Sequence, residues 1–149
     1  MPEVSLADWQ TFVRARPKIH LLQTGEWGEL KSAFGWSAIH LISDTCGVQI
    51  LFRKLPFGLT IAYIPKASSE NGQWSMVDGL RGEIDSACKR RRAIFCKIEF
   101  DVWEGELPAM VDDPRAMVSP DNIQPPRTIV IDMKGNFRLV NKSMPLCRY

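Results

Sequence analysis

Apolar and polar positions alternate along this chain with two different periods, and each period indicates a different kind of element. Apolar residues recur at intervals of three and four in residues 5–16, 24–34 and 74–91, which predicts three amphipathic helices. Alternating positions or short apolar runs predict strands at residues 37–42, 47–54, 59–64, 94–100 and 128–133, and an extended entry or short strand at residues 21–23. Helices and strands in this order favour a mixed sheet with helices packed on it.

The short second helix has recognisable signals at both ends. The hydroxyl of Thr24 can cap the first turn, and Gly35 suits the position after the last turn. Between them lies one predicted apolar stripe, made by Trp27, Leu30 and Phe34. Lys31 lies at the margin of this stripe, so we expect its stem to pack while its ammonium group can still meet a ligand.

Three of the predicted strands are consecutive and are separated only by turn-like breaks, which predicts an antiparallel meander. In the second of them, positions 48, 50 and 52 should share one face and positions 49, 51 and 53 the other. Pro65 is expected to end the third strand, and the polar residues 66–73 should form an exposed loop. Residues 105–122 read as a long irregular connection.

Composition narrows the class of protein. A chain of 149 residues with 45% hydrophobic residues fits one domain with a real core, and a net charge of +2 gives no overall nucleic-acid signature. A local basic run at residues 89–92 is better explained as a solvated helix end than as a patch for RNA, phosphate or anionic lipid. The four cysteines lack C-x-x-C spacing, and neither a signal peptide nor a spanning apolar run is present. We therefore expect a cytoplasmic protein without a metal site.

Common catalytic signatures are missing. There is no phosphate-binding G-x-x-x-x-G-K-[ST] or G-x-G-x-x-G loop, and no Ser-His-Asp pattern. His20 and His40 each stand alone on apolar segments, where a structural role is the better interpretation. Glu99 and Asp101 alternate at the end of a strand and could face one pocket, although solvated carboxylates are commoner there. The catalytic residues are therefore unknown at this point.

Residues 21–36, LLQTGEWGELKSAFGW, resemble the opening motif of the Fem-type aminoacyltransferases, the enzymes that form peptidoglycan interpeptide bridges. Three later segments resemble that family in the same order, namely GVQILFRKLPFGLTIAYIPK, AIFCKIEFDVWE and NIQPPRTIVIDM. The resemblance implies an acetyltransferase-like (GNAT) α/β fold, with a mostly antiparallel mixed sheet and flanking helices. It also implies that residues 1–140 are the first of two such domains, followed by a tail at 141–149 that could be a truncated helix.

The resemblance also suggests binding residues. The lysine that matches Lys31 helps to hold the diphosphate of the cell-wall precursor in that family. Arg148 matches an arginine that is a second candidate for phosphate, but only Arg148 and Tyr149 agree with the family's Lys-Thr-Arg-Tyr-like motif. From their position beside a predicted loop, Tyr63 and Lys66 could line a substrate groove.

The activity implied by the resemblance is transfer of an amino acid from aminoacyl-tRNA to the stem-peptide amine of a UDP- or lipid-linked muropeptide. No cofactor is implied beyond aminoacyl-tRNA as co-substrate, and DNA is not an expected partner. In that family the residues that bind aminoacyl-tRNA belong largely to the second domain, so this chain is expected to be the acceptor-binding half. A peripheral contact with the inner face of the membrane is also possible. Whether this chain alone is an enzyme stays open.

Two alternatives remain. The chain could be a non-catalytic GNAT-like module that binds a muropeptide or a protein. It could also be a small N-acyltransferase that uses another carrier, although the glycine-rich loop that cradles coenzyme A is missing, which argues against acetyl-CoA.

Overall fold

A computed structural model describes residues 3–43, 46–68, 75–101, 117–119, 121, 123–124 and 146–148. These residues form one seven-stranded sheet with three helices packed on it. The helices are α1 (Leu6–Arg14), α2 (Gly25–Ser32) and α3 (Ser75–Arg90). The strands are β1 (Glu3–Val4), β2 (Trp36–Ser43), β3 (Cys46–Lys54), β4 (Thr60–Ser68), β5 (Ala93–Asp101), β6 (Met117–Val118) and β7 (Leu146–Arg148). Short 3-10 turns occur at Leu21–Gln23 and Pro56–Gly58.

The strand order is β1-β2-β3-β4-β5-β7-β6, and every neighbouring pair is antiparallel except β4 and β5. Parallel strands need a long crossover, which α3 supplies here. The expected mixed, mostly antiparallel sheet with flanking helices is therefore confirmed, and so is the meander of β2, β3 and β4.

The main hydrophobic core lies between the sheet and α3. Its fully buried side chains come from alternate positions of four strands and from one face of the helix, as strand and helix periods require. In β3 the predicted division of faces is confirmed, because Val48, Ile50 and Phe52 belong to this core. Leu80, Ile84 and Ala87 line the helix face that covers it.

Two predictions about the chain before and after the meander are wrong. Residues 21–23 form a 3-10 turn rather than a strand, because His20 Nδ1 accepts the Leu22 amide at 3.1 Å and caps the turn. Pro65 does not end β4, which continues to Ser68. The pairing of β4 with β5 shifts register between Ile64 and Ala67, and such an irregularity accommodates a residue that lacks an amide donor.

The C-terminal residues also differ from the expectation. Leu146–Arg148 forms β7, which pairs with both β5 and β6, so this part of the tail is a strand and not a helix. Backbone pairing on both sides holds it in the sheet. The predicted strand at residues 128–133 lies outside the described residues, as do residues 69–73 of the first predicted loop and residues 105–116, 120 and 122 of the second.

Helix α2 has the predicted beginning but buries a different face. Thr24 caps it, whereas Leu30 and Phe34 are 51% and 68% exposed. The face against the sheet carries the buried Gly28 instead. A Cβ atom on Gly28 would lie 2.6 Å from Gln49 Oε1 and 3.0 Å from Ala38 Cβ, so only glycine allows this close approach.

The face of the sheet opposite α3, here called the second face, contains a buried polar pair. This pair should make the stability of the protein depend on pH. His40 Nε2 lies 2.9 Å from Gln49 Oε1, and the His40 ring stacks on Trp9 at 5.2 Å. The structural interpretation of this histidine is thereby supported. Burial lowers the pKa of His40 below 6.5, although the bond to Gln49 and the charge of Glu3 act in the opposite direction.

Because the folded-state pKa is lower than the unfolded one, the unfolded chain binds the proton first. The stabilising contribution is complete above about pH 6.5 and is lost as the pH falls from there through the folded-state pKa. We expect the urea midpoint to fall between about pH 7 and about pH 5, and to fall less in His40→Gln. If the urea midpoint fell by the same amount in wild type and in His40→Gln over this pH range, His40 would have no part in the pH dependence.

Candidate functional site

Lys31 lies in the last turn of α2 between two indole rings. Its Nζ atom is 5.2 Å from the ring centroid of Trp27 and 5.7 Å from that of Trp36. Both distances allow cation–π attraction, which holds the half-buried lysine in place. Among the described residues, no carboxylate forms an ion pair with this amine. The positive charge is therefore positioned but not neutralised.

Local structure explains why these groups meet. Thr24 Oγ1 accepts the Trp27 amide at 3.4 Å and starts α2, while Gly35 has a φ of 79°, which few other residues adopt, and turns the chain into β2. Trp36 is the first residue of β2 and pairs with Arg53 near the end of β3. The Arg53 guanidinium lies 5.7 Å from the Trp36 ring centroid, so a second cation is close to the same ring. We call Lys31, Trp27, Trp36 and Arg53 the Lys31 cluster.

Trp27 contributes a further unusual feature. Its indole Nε1 atom is buried and has no hydrogen-bond partner among the residues that the structure describes. Buried donors are nearly always paired in proteins, and an orphan donor marks a place where a ligand or water oxygen can complete the bond. This donor belongs to the ring beneath Lys31.

Tyr63 lies next to this cluster but is bonded to a different partner. It is buried, its ring centroid is 6.3 Å from that of Trp36, and its hydroxyl donates to Glu99 Oε2 at 2.5 Å. Burial, followed by the bond to and charge of Glu99, raises the pKa of Tyr63 far above 10.0. The phenol therefore stays protonated.

Glu99 is fully buried, so the expectation of a solvated carboxylate is wrong. Its Oε1 atom accepts the amides of Ile123 at 2.7 Å and Gln124 at 3.3 Å, while Oε2 holds Tyr63. Lys97, two residues earlier on β5, donates from Nζ to the Asp121 carbonyl. The two charged side chains thus fasten residues 121, 123 and 124 to the second face of the sheet. Strand alternation placed Lys97 and Glu99 on one face, but their burial had no local signal.

The remaining predicted site residues, Arg148 and Lys66, lie on strands β7 and β4. The backbone of Arg148 pairs with Lys97, which pairs with Tyr63, so the three lie in one row across the sheet. Lys66 was expected in an exposed loop, yet it is only 4% exposed and lies at the irregularity of β4 with a φ of 47°. The structure brings Lys31 and Tyr63 together through Trp36. The substrate roles of Arg148, Tyr63 and Lys66 stay predictions.

Two cavities lie elsewhere. One of about 190 Å³ lies between α3 and β5, and one of about 260 Å³ lies beside α2 and β1; neither is lined by Lys31. The first contains Cys88 and Cys96. A bond from the Cys96 thiol lowers the pKa of Cys88, and donating that bond, together with burial, raises the pKa of Cys96. Within the described ranges, no cluster of His, Cys, Asp and Glu could hold a metal ion.

The comparisons with known proteins agree with the motif. The chain is 28% identical over 144 aligned residues to lipid II:glycine glycyltransferase of Staphylococcus aureus, across 84% of this chain. It superposes on the crystal structure of FemX with a TM-score of 0.58 and 24% identity, over 70% of this chain and 28% of that one. The resemblance to the Fem-type family is confirmed. The FemX match shows the fold, and no family model matches the chain.

The chain spans about a third of the length of the curated relatives that it matches. The aligned part contains the Lys31 cluster, whereas the activity in the relative's name is that of a longer protein. Across the described residues, none of the helices has the length and apolar character required to cross a membrane.

Proposed function

We propose that this chain binds the acceptor precursor in a Fem-type aminoacyl transfer, with Lys31 holding the precursor's diphosphate. The observation that carries the proposal is an ammonium group beside two indole rings, with no ion-paired carboxylate among the residues that the structure describes. An unneutralised, positioned cation is a good partner for phosphate oxygens, because charge-assisted bonds form without breaking an existing ion pair.

Neighbouring groups support the same ligand. The unpaired Trp27 indole N–H can donate to a phosphate or sugar oxygen, and Arg53 adds a second positive charge beside Trp36. The faces of Trp27 and Trp36 offer apolar surface next to the two cations. A sugar-linked diphosphate, which combines charge with stacked or apolar faces, is complementary to this set.

The proposed reaction needs positioning more than a protein nucleophile. The stem-peptide amine attacks the carbonyl carbon of the aminoacyl ester, an amide bond forms, and the ester bond to the tRNA hydroxyl breaks. The proton lost by the amine is taken up by the leaving tRNA oxygen, which becomes the free hydroxyl. We assign the precursor side to this chain and the aminoacyl-tRNA side to a second unit, as the family resemblance implies. A cytoplasmic location agrees with both substrates.

Binding of a UDP-linked muropeptide tests the proposal. By calorimetric titration, Lys31→Ala should weaken binding about tenfold or more, since a charge-assisted contact in a partly buried site is lost. Lys18→Ala removes an exposed lysine outside the cluster and should change nothing.

A second ligand locates the contact. The stem peptide without UDP lacks the diphosphate, so wild type and Lys31→Ala should bind it equally. Equal binding of the UDP-linked precursor by both proteins would exclude Lys31 as the phosphate contact. Transfer from charged tRNA by this chain alone would exclude the division of the reaction between two units, and would also exclude the non-catalytic alternative.

A further inference from the structure

Three connections meet at one end of the sheet, and the strand registers establish this. Trp36 pairs with Arg53, Lys54 with Thr60, and Thr60 with Ala93. The loop before β2, the turn between β3 and β4, and the turn between α3 and β5 are therefore neighbours. We call this region the loop end and define it as residues 30–36, 53–60 and 91–94.

The loop end exposes large apolar side chains on all three connections. Phe57 is 92% exposed, Phe34 68% and Ile94 55%, and Leu30 at the end of α2 is 51% exposed. Single exposed apolar residues are common on protein surfaces. Four of them on adjoining connections at one end of a sheet form a group, and such groups mark interaction sites.

Phe57 is held outward by the backbone. It has a φ of 63°, a conformation that costs a non-glycine residue about 1 kcal/mol. The turn is closed by the Leu55 amide, which donates to the Leu59 carbonyl at 2.8 Å. This hydrogen bond closes the backbone turn that carries the exposed ring.

Basic side chains surround these apolar groups. Lys54 and Arg53 end β3, and Arg92 is exposed in the turn before β5. An Arg92 guanidinium nitrogen lies 3.2 Å from the place that a Cβ of Gly58 would occupy, so this cation adjoins the Phe57 turn directly. Lys31 lies at the same end, with its Nζ atom 5.7 Å from the ring centroid of Trp36.

The rest of the basic run at residues 89–92 is partly neutralised. Arg90 and Arg91 both contact Glu3, at 3.7 and 3.2 Å, and Lys89 contacts Asp85 at 3.5 Å. We therefore attribute the unneutralised charge of the loop end to Lys54, Arg53, Arg92 and Lys31 rather than to the run as a whole.

We propose that the loop end docks on an anionic phospholipid bilayer, with Phe57 and Phe34 entering the interface and the surrounding cations contacting lipid phosphates. Apolar side chains combined with basic ones are the combination that binds such interfaces. RNA fits less well, because Ile94 and Leu30 offer no ring for base stacking, whereas burial in lipid stabilises aliphatic and aromatic side chains alike.

Docking would put Lys31 at the level of the lipid headgroups. If the proposed function is correct, the diphosphate of a lipid-linked precursor would meet the Lys31 cluster without leaving the membrane surface. The docking proposal itself rests on the loop end alone, and its test contains no precursor, so the two proposals can fail separately.

Vesicle flotation tests the proposal. Wild type should float with vesicles that contain phosphatidylglycerol, but not with phosphatidylcholine alone, and added salt should weaken the binding. Lys54→Glu with Arg92→Glu should lower the partition constant by about fivefold or more for each cation replaced. Phe57→Ser should also lower it, by about tenfold, through loss of the inserted ring.

Two variants away from the loop end serve as matched controls. Leu21→Ser removes an apolar side chain that is 68% exposed, as Phe34 is, from the turn before α2, and Arg14→Glu reverses an exposed charge on α1. Both should float like wild type, and thermal melts should show that every variant is folded. Absence of wild-type flotation, or equal losses in the control variants, would overturn the proposal. So would retention by RNA in place of anionic vesicles.

Discussion

Replacing Glu99 with alanine is expected to lower the free energy of unfolding by about 4 kcal/mol, because one buried and two part-buried donors lose their acceptor at once. These donors are the Tyr63 hydroxyl and the amides of Ile123 and Gln124. Each unsatisfied buried group costs about 1–3 kcal/mol, and the small side chain leaves a void. Urea denaturation followed by tryptophan fluorescence measures the change.

Two matched variants separate the contacts of Glu99. Tyr63→Phe removes one bond but leaves the carboxylate with two backbone donors, so a loss of about 1 kcal/mol is expected. Glu99→Gln keeps one acceptor oxygen for the backbone amides and should fall between the two. If all three variants destabilise equally, or if Glu99→Ala costs less than Tyr63→Phe, residues 123 and 124 are not fastened by this carboxylate.

Gln23→Leu should destabilise the protein by about 3 kcal/mol, because the side chain of Gln23 connects three elements through buried bonds. Its Oε1 atom accepts the Gln49 amide at 2.7 Å, and its Nε2 atom donates to the carbonyls of Pro65 and Gln49. Leucine has a similar volume, so the loss measures unpaired polar groups rather than a cavity.

The control for Gln23 is Gln10→Leu, which replaces a half-buried glutamine on α1 that takes no part in this network. A change within about 0.5 kcal/mol is expected there. Because Gln23 anchors the turn before α2 to β3 and β4, the Gln23 variant should also weaken binding of the UDP-linked muropeptide at temperatures near its melting transition. A midpoint in urea equal to that of wild type would show that the network contributes nothing.

Several elements could be predicted because their signals are local. The cap at Thr24 is confirmed, and strand alternation placed β2 to β5 within one or two residues at most ends. The continuation of β4 past Pro65 was missed, because a proline is tolerated only where the partner strand shifts register. That shift belongs to the pairing with β5, which lies more than 30 residues later in the chain.

The candidate site divides in the same way. Lys31 was proposed through its motif, and the structure places its amine 5.2 Å from the Trp27 ring centroid and 5.7 Å from that of Trp36, while its binding role stays a prediction. Glu99 was missed, because its burial depends on Tyr63, which lies 36 residues away, and on residues 123–124. The alternation of side chains along one strand carries no information about partners in distant segments.

The sequence by itself determined the three helices, the strands β2 to β5 and the resemblance to the Fem-type family, since periodicity, caps and motifs are properties of neighbouring residues. Only the tertiary structure decided which face of α2 is buried, where β7 pairs, and that Glu99 is an internal acceptor. The physical reason is that burial and pairing depend on contacts between distant segments. Gly28 shows this most clearly, because a glycine instead of the apolar stripe faces the sheet where Gln49 and Ala38 leave no room for a side chain.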